Sequence, residues 1–423
     1  MIDLVIRGGT LLTMCGEIIE KGVVAVDNGL IAYAGKDTKV KADRVIDAKG
    51  CAVMPGLINA HTHLSMTLFR GYADDLPYRE WTEKIQRAEM KLNPQDVRAG
   101  ARLGLLEMIR SGTTSFADMY IHMDEVAKVV EETGIRAALG YGMIEGLNED
   151  AGMKLKNREI FAKKWNGAAN GRITTMYAPH SAASCSKEFL IKVNELAKKD
   201  GARIHIHVLE TEEELNLMKK RYGMCSINLL NGINMLGHDM LAAHCIWLSD
   251  NDIEILKNKE VSIVHCPTSN MALGAGVARV PEMLEKGINV ALGTDGAASG
   301  GGLDMWKEMR MTSLLHKLKE PKAMPASTIL EMATVNGAQA LGINAGVLRA
   351  GCAADIIIVN MERPQFVSSN VVAALVNGAS GCDVKTTIVD GKILMQENVI
   401  IGLDEEKIME DAKRAILKIT LNN

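Results

Sequence analysis

The sequence predicts an α/β protein: a (β/α)8 TIM barrel carrying a small β-sandwich built from both chain termini. Three observations predict it. Eight short apolar segments alternate with stretches of helical period in the middle of the chain, the rhythm of parallel β/α units. Short, turn-punctuated strands occur at both ends. Histidines and acids gather near the C-terminal ends of the central strands, the face on which barrel enzymes carry chemistry.

In chain order, residues 1–54 read as short alternating strands, with turn signals at Gly8-Gly9, Asp27-Asn28-Gly29, Gly35 and Gly50. Residues 55–345 hold the barrel. Its strands are expected at 56–64, 113–119, 136–143, 173–181, 203–210, 240–248, 261–269 and 289–296, with amphipathic helices such as Pro94 to Ser111, Lys187 to Lys199 and Asp250 to Lys257. Eight parallel strands are the number that closes a sheet over a filled interior. Residues 346–423 return to β texture at 354–360 and 386–395, where Asp390-Gly391 signals a hairpin, and end in a helical pattern from Glu405 to Thr420.

Composition narrows the function. The 423 residues are 47% hydrophobic and 24% charged, with 48 Lys and Arg against 52 Asp and Glu. A net charge of −4 without a long basic run argues against a nucleic-acid partner. The longest apolar runs fall short of the ~18 residues of a membrane helix, and the N-terminus lacks the basic and apolar regions of a signal peptide. The eight cysteines form no CxxC pair, which disfavours a disulfide framework or a zinc knuckle and fits a reducing cytoplasm.

His61 and His63 lie two apart on the first strand and point to one face of the sheet. HxH alone is common. Joined by a histidine of strand five and Asp295 at the end of strand eight, it becomes a metal constellation, suited to Zn²⁺ and acceptable to Fe²⁺. Strand five offers His205 and His207; His207 lies nearer the mouth and is the better ligand, while His205 fills a deeper layer. Glu210, three residues past His207, is a candidate proton shuttle, although acids also favour the start of the helix that follows. His180, His244 and His265 end strands four, six and seven; His265 reads as supporting or structural.

The runs PGLINAHTHL (55–64), HVLE (207–210), HCPTSNMALG (265–274), GTDGAAS (293–299) and GxLRxGxxADI (346–356) carry a resemblance over essentially the whole chain. They resemble the amidohydrolase superfamily, and within it the 5′-methylthioadenosine/S-adenosylhomocysteine deaminases and their 5′-deoxyadenosine-deaminating relatives. The resemblance implies one divalent metal per subunit, held by His61, His63, His207 and Asp295. It implies Glu210 as proton shuttle, His244 beside the activated water, and Asp295 as a ligand that also accepts the water proton. Trp81, Glu89, His180 and Ser299 are the implied substrate contacts, with Glu83 competing with Glu89, and either Lys154 or Arg158 standing for the family's arginine after strand three. A small-molecule nucleoside substrate and a homo-oligomer are likewise implied. Strand four has no lysine to bridge two metals, which favours one ion.

The expected reaction is hydrolytic deamination of an adenosine-type nucleoside: methylthioadenosine, S-adenosylhomocysteine, 5′-deoxyadenosine or adenosine. One alternative is an aminohydrolase or halohydrolase of a guanine-like, pterin or triazine ring. Another is an inactive scaffold, which the full set of ligand residues disfavours.

Overall fold

The computed structural model describes residues 2–145 and 151–421. Its centre is a parallel eight-stranded sheet: β1 (Leu57–Thr62), β2 (Thr113–Tyr120), β3 (Arg136–Met143), β4 (Ile173–Pro179), β5 (Ile204–Val208), β6 (Met240–His244), β7 (Ser262–His265) and β8 (Val290–Leu292), hydrogen-bonded in sequence order. The first and last strands meet just beyond β8, where the Asp295 amide donates to the His61 carbonyl at 3.0 Å and the Thr294 amide donates to Asn59 Oδ1 at 3.0 Å. These strands are almost entirely buried because helices cover their outer face and side chains fill the inner one. Ala117, Ala138, Met176, Leu241, Val264 and Ala291 form one buried cluster, while Phe116, Leu139, Ile206 and Ile263 join the larger one that includes the surrounding helices. The strands are shorter than the sequence suggests, and His63, His180, Glu210 and Asp295 lie just past their ends.

Two helices follow β1. Helix α1 (Tyr78–Glu89) covers the mouth of the barrel, and α2 (Pro94–Arg110) begins with Pro94 at its first position and a reciprocal capping box between Asn93 and Asp96.

The chain ends supply a second sheet of nine strands. Cys51–Pro55 of the N-terminal part pairs antiparallel with Ile356–Asn360 of the C-terminal part. The nine strands are hydrogen-bonded into one continuous sheet, with Leu4, Ile6, Val24, Ile31, Ile356 and Ile388 in a shared core. It meets the barrel at the start of β3, opposite the mouth: Arg136 donates through Nε to Asp355 Oδ2 at 2.7 Å and through Nη2 to Oδ1 at 3.1 Å. The final helix, Glu405–Leu421, packs against α2 rather than on this sheet. Among the described residues no helix is long and apolar enough to cross a membrane.

Candidate metal centre and substrate pocket

At the mouth, the imidazoles of β1 and β5 converge with Asp295. His207 Nε2 is 3.2 Å from His63 Nε2, and Asp295 Oδ1 is 3.4 Å from His63 Nε2 and 3.6 Å from His61 Nε2. Each ring is aimed by its other nitrogen. His63 Nδ1 donates to the Met119 carbonyl at 2.7 Å, His207 Nδ1 to the His180 carbonyl at 2.8 Å, and His61 Nδ1 is bonded to His205 Nε2 at 2.8 Å. Outer partners of this kind fix which nitrogen faces a metal. Asp295 receives the Gly296 amide on Oδ1 at 2.7 Å and the Ser269 hydroxyl on Oδ2 at 2.6 Å.

The charge states suit a cation. Burial lowers His61 to about 4 and holds His207 well below the usual imidazole range, so both imidazoles are neutral donors. Burial alone would raise Asp295, but His61 and His63 beside it hold it well below the usual carboxylate range. His61 Nε2 is buried, points into the cluster and has no hydrogen-bond partner among the described residues. Three imidazole nitrogens and a carboxylate, one nitrogen orphaned, match the donor set of a divalent transition ion.

Glu210 flanks this cluster. The preceding residue, Leu209, adopts a left-handed conformation with φ 46°, which turns the chain out of β5 and delivers the carboxyl into the mouth. Burial raises its pKa. The Glu210 amide donates to Glu214 Oε2 at 3.1 Å, whose other oxygen receives the Ser226 hydroxyl at 2.7 Å. Glu210 Oε2 accepts the Tyr78 hydroxyl at 3.0 Å, and Oε1 is 4.0 Å from His244 Nε2. His244 itself sits at φ 71°, with Nδ1 bonded to Asn270 Oδ1 at 2.9 Å. Burial opposes protonation of its ring, but Glu210, Asp295 and the Asn270 bond outweigh it and raise the pKa.

The cluster forms the floor of a cavity of about 450 Å³ whose lining includes Trp81, Glu89, Lys154 and His180. The Trp81 indole donates across the cleft to the Ala298 carbonyl at 3.3 Å. Glu89 presents a buried oxygen without a partner among the described residues, and burial raises its pKa. Its competitor Glu83 lies on the exposed side of α1, paired with Arg79 and Arg87 at 3.3 and 3.6 Å. Lys154 lines the cavity and donates to the Ile144 carbonyl. Arg158 points elsewhere: its guanidinium lies over the Tyr177 ring and pairs with Asp200 at 2.7 Å. Ser299 is turned toward the floor, bonded to Ser269 at 2.8 Å and outside the cavity lining. His265 faces away, its ring 5.3 Å from that of His316.

Sequence reasoning missed Tyr78, Glu214, Ser269 and Asn270. The signals existed: Tyr78 stands one helical turn before Trp81, and Ser269-Asn270 closes the HCPTSN run.

The amidohydrolase family matches residues 52–394, and the chain belongs to that family. It is 54% identical over 422 residues, 98% of each chain, to a 5′-deoxyadenosine deaminase of Methanosarcina acetivorans. It is 44% identical over 430 residues, 99% of each chain, to a 5-methylthioadenosine/S-adenosylhomocysteine deaminase of Pelotomaculum thermopropionicum. Among solved structures it resembles an adenosine deaminase from Xanthomonas campestris with bound zinc, at TM-score 0.96 and 29% identity over 99% of each chain.

Proposed function

We propose that this protein is a metal-dependent hydrolase that deaminates adenosine-type nucleosides to the inosine form with release of ammonia. The observation that carries the reading is the placement of the buried Glu210 carboxyl beside two overlapping groups of potential ligands, His61–His63–His207 and His61–His244–Asp295, at the cavity floor. Relatives covering nearly the whole chain and named as deaminases of 5′-deoxyadenosine and of methylthioadenosine/S-adenosylhomocysteine support the substrate class.

His61, His63, His207 and Asp295 would hold the ion, with Zn²⁺ the first choice and Fe²⁺ compatible with the same donors. A divalent ion bound there supplies Lewis acidity that makes water nucleophilic near neutral pH. The chain's own residues supply the rest. Glu210, whose pKa burial raises, gives a proton to the ring nitrogen next to the carbon under attack; recharged with the proton that Asp295 takes from water, it protonates the departing amino group, and the second water proton returns to it as the carbonyl forms. His244, its far nitrogen anchored by Asn270, holds the attacking oxygen in line. Asp295 takes the proton that water gives up. Trp81 covers the base, Glu89 accepts the ribose hydroxyls, His180 and Lys154 complete the pocket wall, and Ser299 supports Asp295 through Ser269.

Ammonia release by metal-replete protein from adenosine, 5′-deoxyadenosine, methylthioadenosine and S-adenosylhomocysteine, with guanine, a pterin and a triazine as controls, tests this. Turnover of at least one adenosine-type nucleoside is expected; turnover of the controls alone would overturn it.

A further inference from the structure

Helix α1 presents Tyr78, Trp81 and Glu89 to the cavity from one face, because positions three and eleven residues apart return to the same side of a helix. The proposed function gives work to Trp81 and Glu89 and none to Tyr78. Yet Tyr78 is the residue of this helix that touches Glu210: its hydroxyl donates to Oε2 at 3.0 Å. The geometry points to Tyr78 as a positioning residue for proton delivery: by occupying Oε2 it leaves Oε1, on the His244 side, as the oxygen that carries the transferable proton.

A phenol has one proton to donate, and Glu210 is the acceptor found for it among the described residues. With Oε2 accepting the phenol proton as the carbonyl oxygen, a protonated Glu210 carries its own proton on Oε1. When the Oε1–H bond breaks and the proton passes to the substrate's ring nitrogen, the carboxylate left behind retains its Tyr78 bond and does not rotate. A donor that needs no reorientation before transfer is preorganised.

The second anchor of Glu210 is independent. Its amide is fixed from behind by Glu214, within the loop and helix that follow β5, so the backbone is placed whether or not α1 is seated. The carboxyl, by contrast, is aligned by a side chain on the helix that also carries Trp81, which is clasped to the opposite loop at Ala298. Tyr78 therefore couples the seating of the substrate-covering helix to the alignment of the proton donor.

This inference rests on the deaminase reading, and the test separates the two. Tyr78→Phe keeps the ring and removes the hydroxyl. In metal-loaded protein, with a nucleoside that the unmodified protein deaminates, kcat is expected to fall about tenfold, the scale of one lost hydrogen bond to a carboxyl group, with KM changed less than about twofold. The 6-chloro analogue of that nucleoside, whose chloride departs without a proton, should lose less. In a Glu210→Gln background the substitution should have no further effect, since a residue acting through Glu210 cannot act without it. An unchanged kcat, equal losses on both substrates, or the same loss in both backgrounds would overturn the inference while leaving the deaminase reading intact. Unmodified protein that releases no ammonia from any nucleoside would overturn both.

Discussion

The nine-stranded terminal sheet and the mouth of the barrel both hold residues in the left-handed backbone region, for different reasons. In the sheet, such positions include Asn28 (φ 48°), Asp390 (φ 53°) and Asn398 (φ 63°), all in tight connections between strands. At these three a short polar side chain stabilises the conformation locally, whereas Met14, Lys21 and Glu397 in the same region hold it without one. At the mouth they are Leu209 (φ 46°), His244 (φ 71°), Cys245 (φ 49°) and Asp295 (φ 60°). No turn chemistry calls for leucine or histidine there; the backbone is bent to deliver Glu210, His244 and Asp295 into one space. Polar partners tell the same story. The buried Asp355 at the sheet–barrel seam accepts two bonds from Arg136 and one from the Asp390 amide. His61 Nε2 and Glu89 Oε1 at the mouth are buried with no partner among the described residues. At the seam the buried carboxylate is fully engaged, whereas at the mouth buried polar atoms stay available to a ligand.

The largest expected effect lies at the mouth. His207→Ala should reduce ammonia release by more than about ten-thousandfold and strip bound metal, because the Lewis acid contributes several kcal/mol, while circular dichroism stays unchanged. A metal-replete, active variant would erase the distinction drawn between the two regions. Glu210→Gln should lower kcat roughly a thousandfold with metal content intact, which separates proton transfer from ion binding.

The seam should behave in the opposite way. Asp355→Ala leaves the largely buried Arg136 with only the more exposed Asp390 as ion partner, at 3.3 Å, and should remove about 3 kcal/mol of stability in urea unfolding, with activity per folded molecule unchanged. A selective loss of activity would mean that the seam communicates with the mouth. Smallest is Asn28→Ala, expected to cost about 1 kcal/mol at a left-handed turn with no kinetic effect.

The sequence made the barrel legible because eight apolar runs in a parallel sheet cannot hide, and it made His61, His63, His207 and Asp295 legible because polar residues at the ends of such runs stand out. Other features depend on tertiary packing. Lys154 and Arg158 lie four apart on one helix, and only its orientation against β4 places Lys154 in the cavity and Arg158 over Tyr177. The choice between Glu83 and Glu89 likewise needed the facing of α1. Tyr78 was hidden because an aromatic on an amphipathic helix reads as packing. Ser299 sits in the expected run, yet its hydroxyl is committed to Ser269 and the Gly296 carbonyl rather than to the cavity, a detail of the loop after β8 that no pattern encodes. The strand ends were read too long because the residues that carry the site continue past the last ladder hydrogen bonds.

The central claim is that side chains from β1, β5 and the loop after β8 enclose one cation. Anomalous diffraction at the zinc edge from zinc-loaded crystals tests it most directly. A single strong peak within about 2.0–2.2 Å of His61 Nε2, His63 Nε2, His207 Nε2 and an Asp295 oxygen is the result the structure predicts. A peak elsewhere, or none in fully loaded protein, would contradict it.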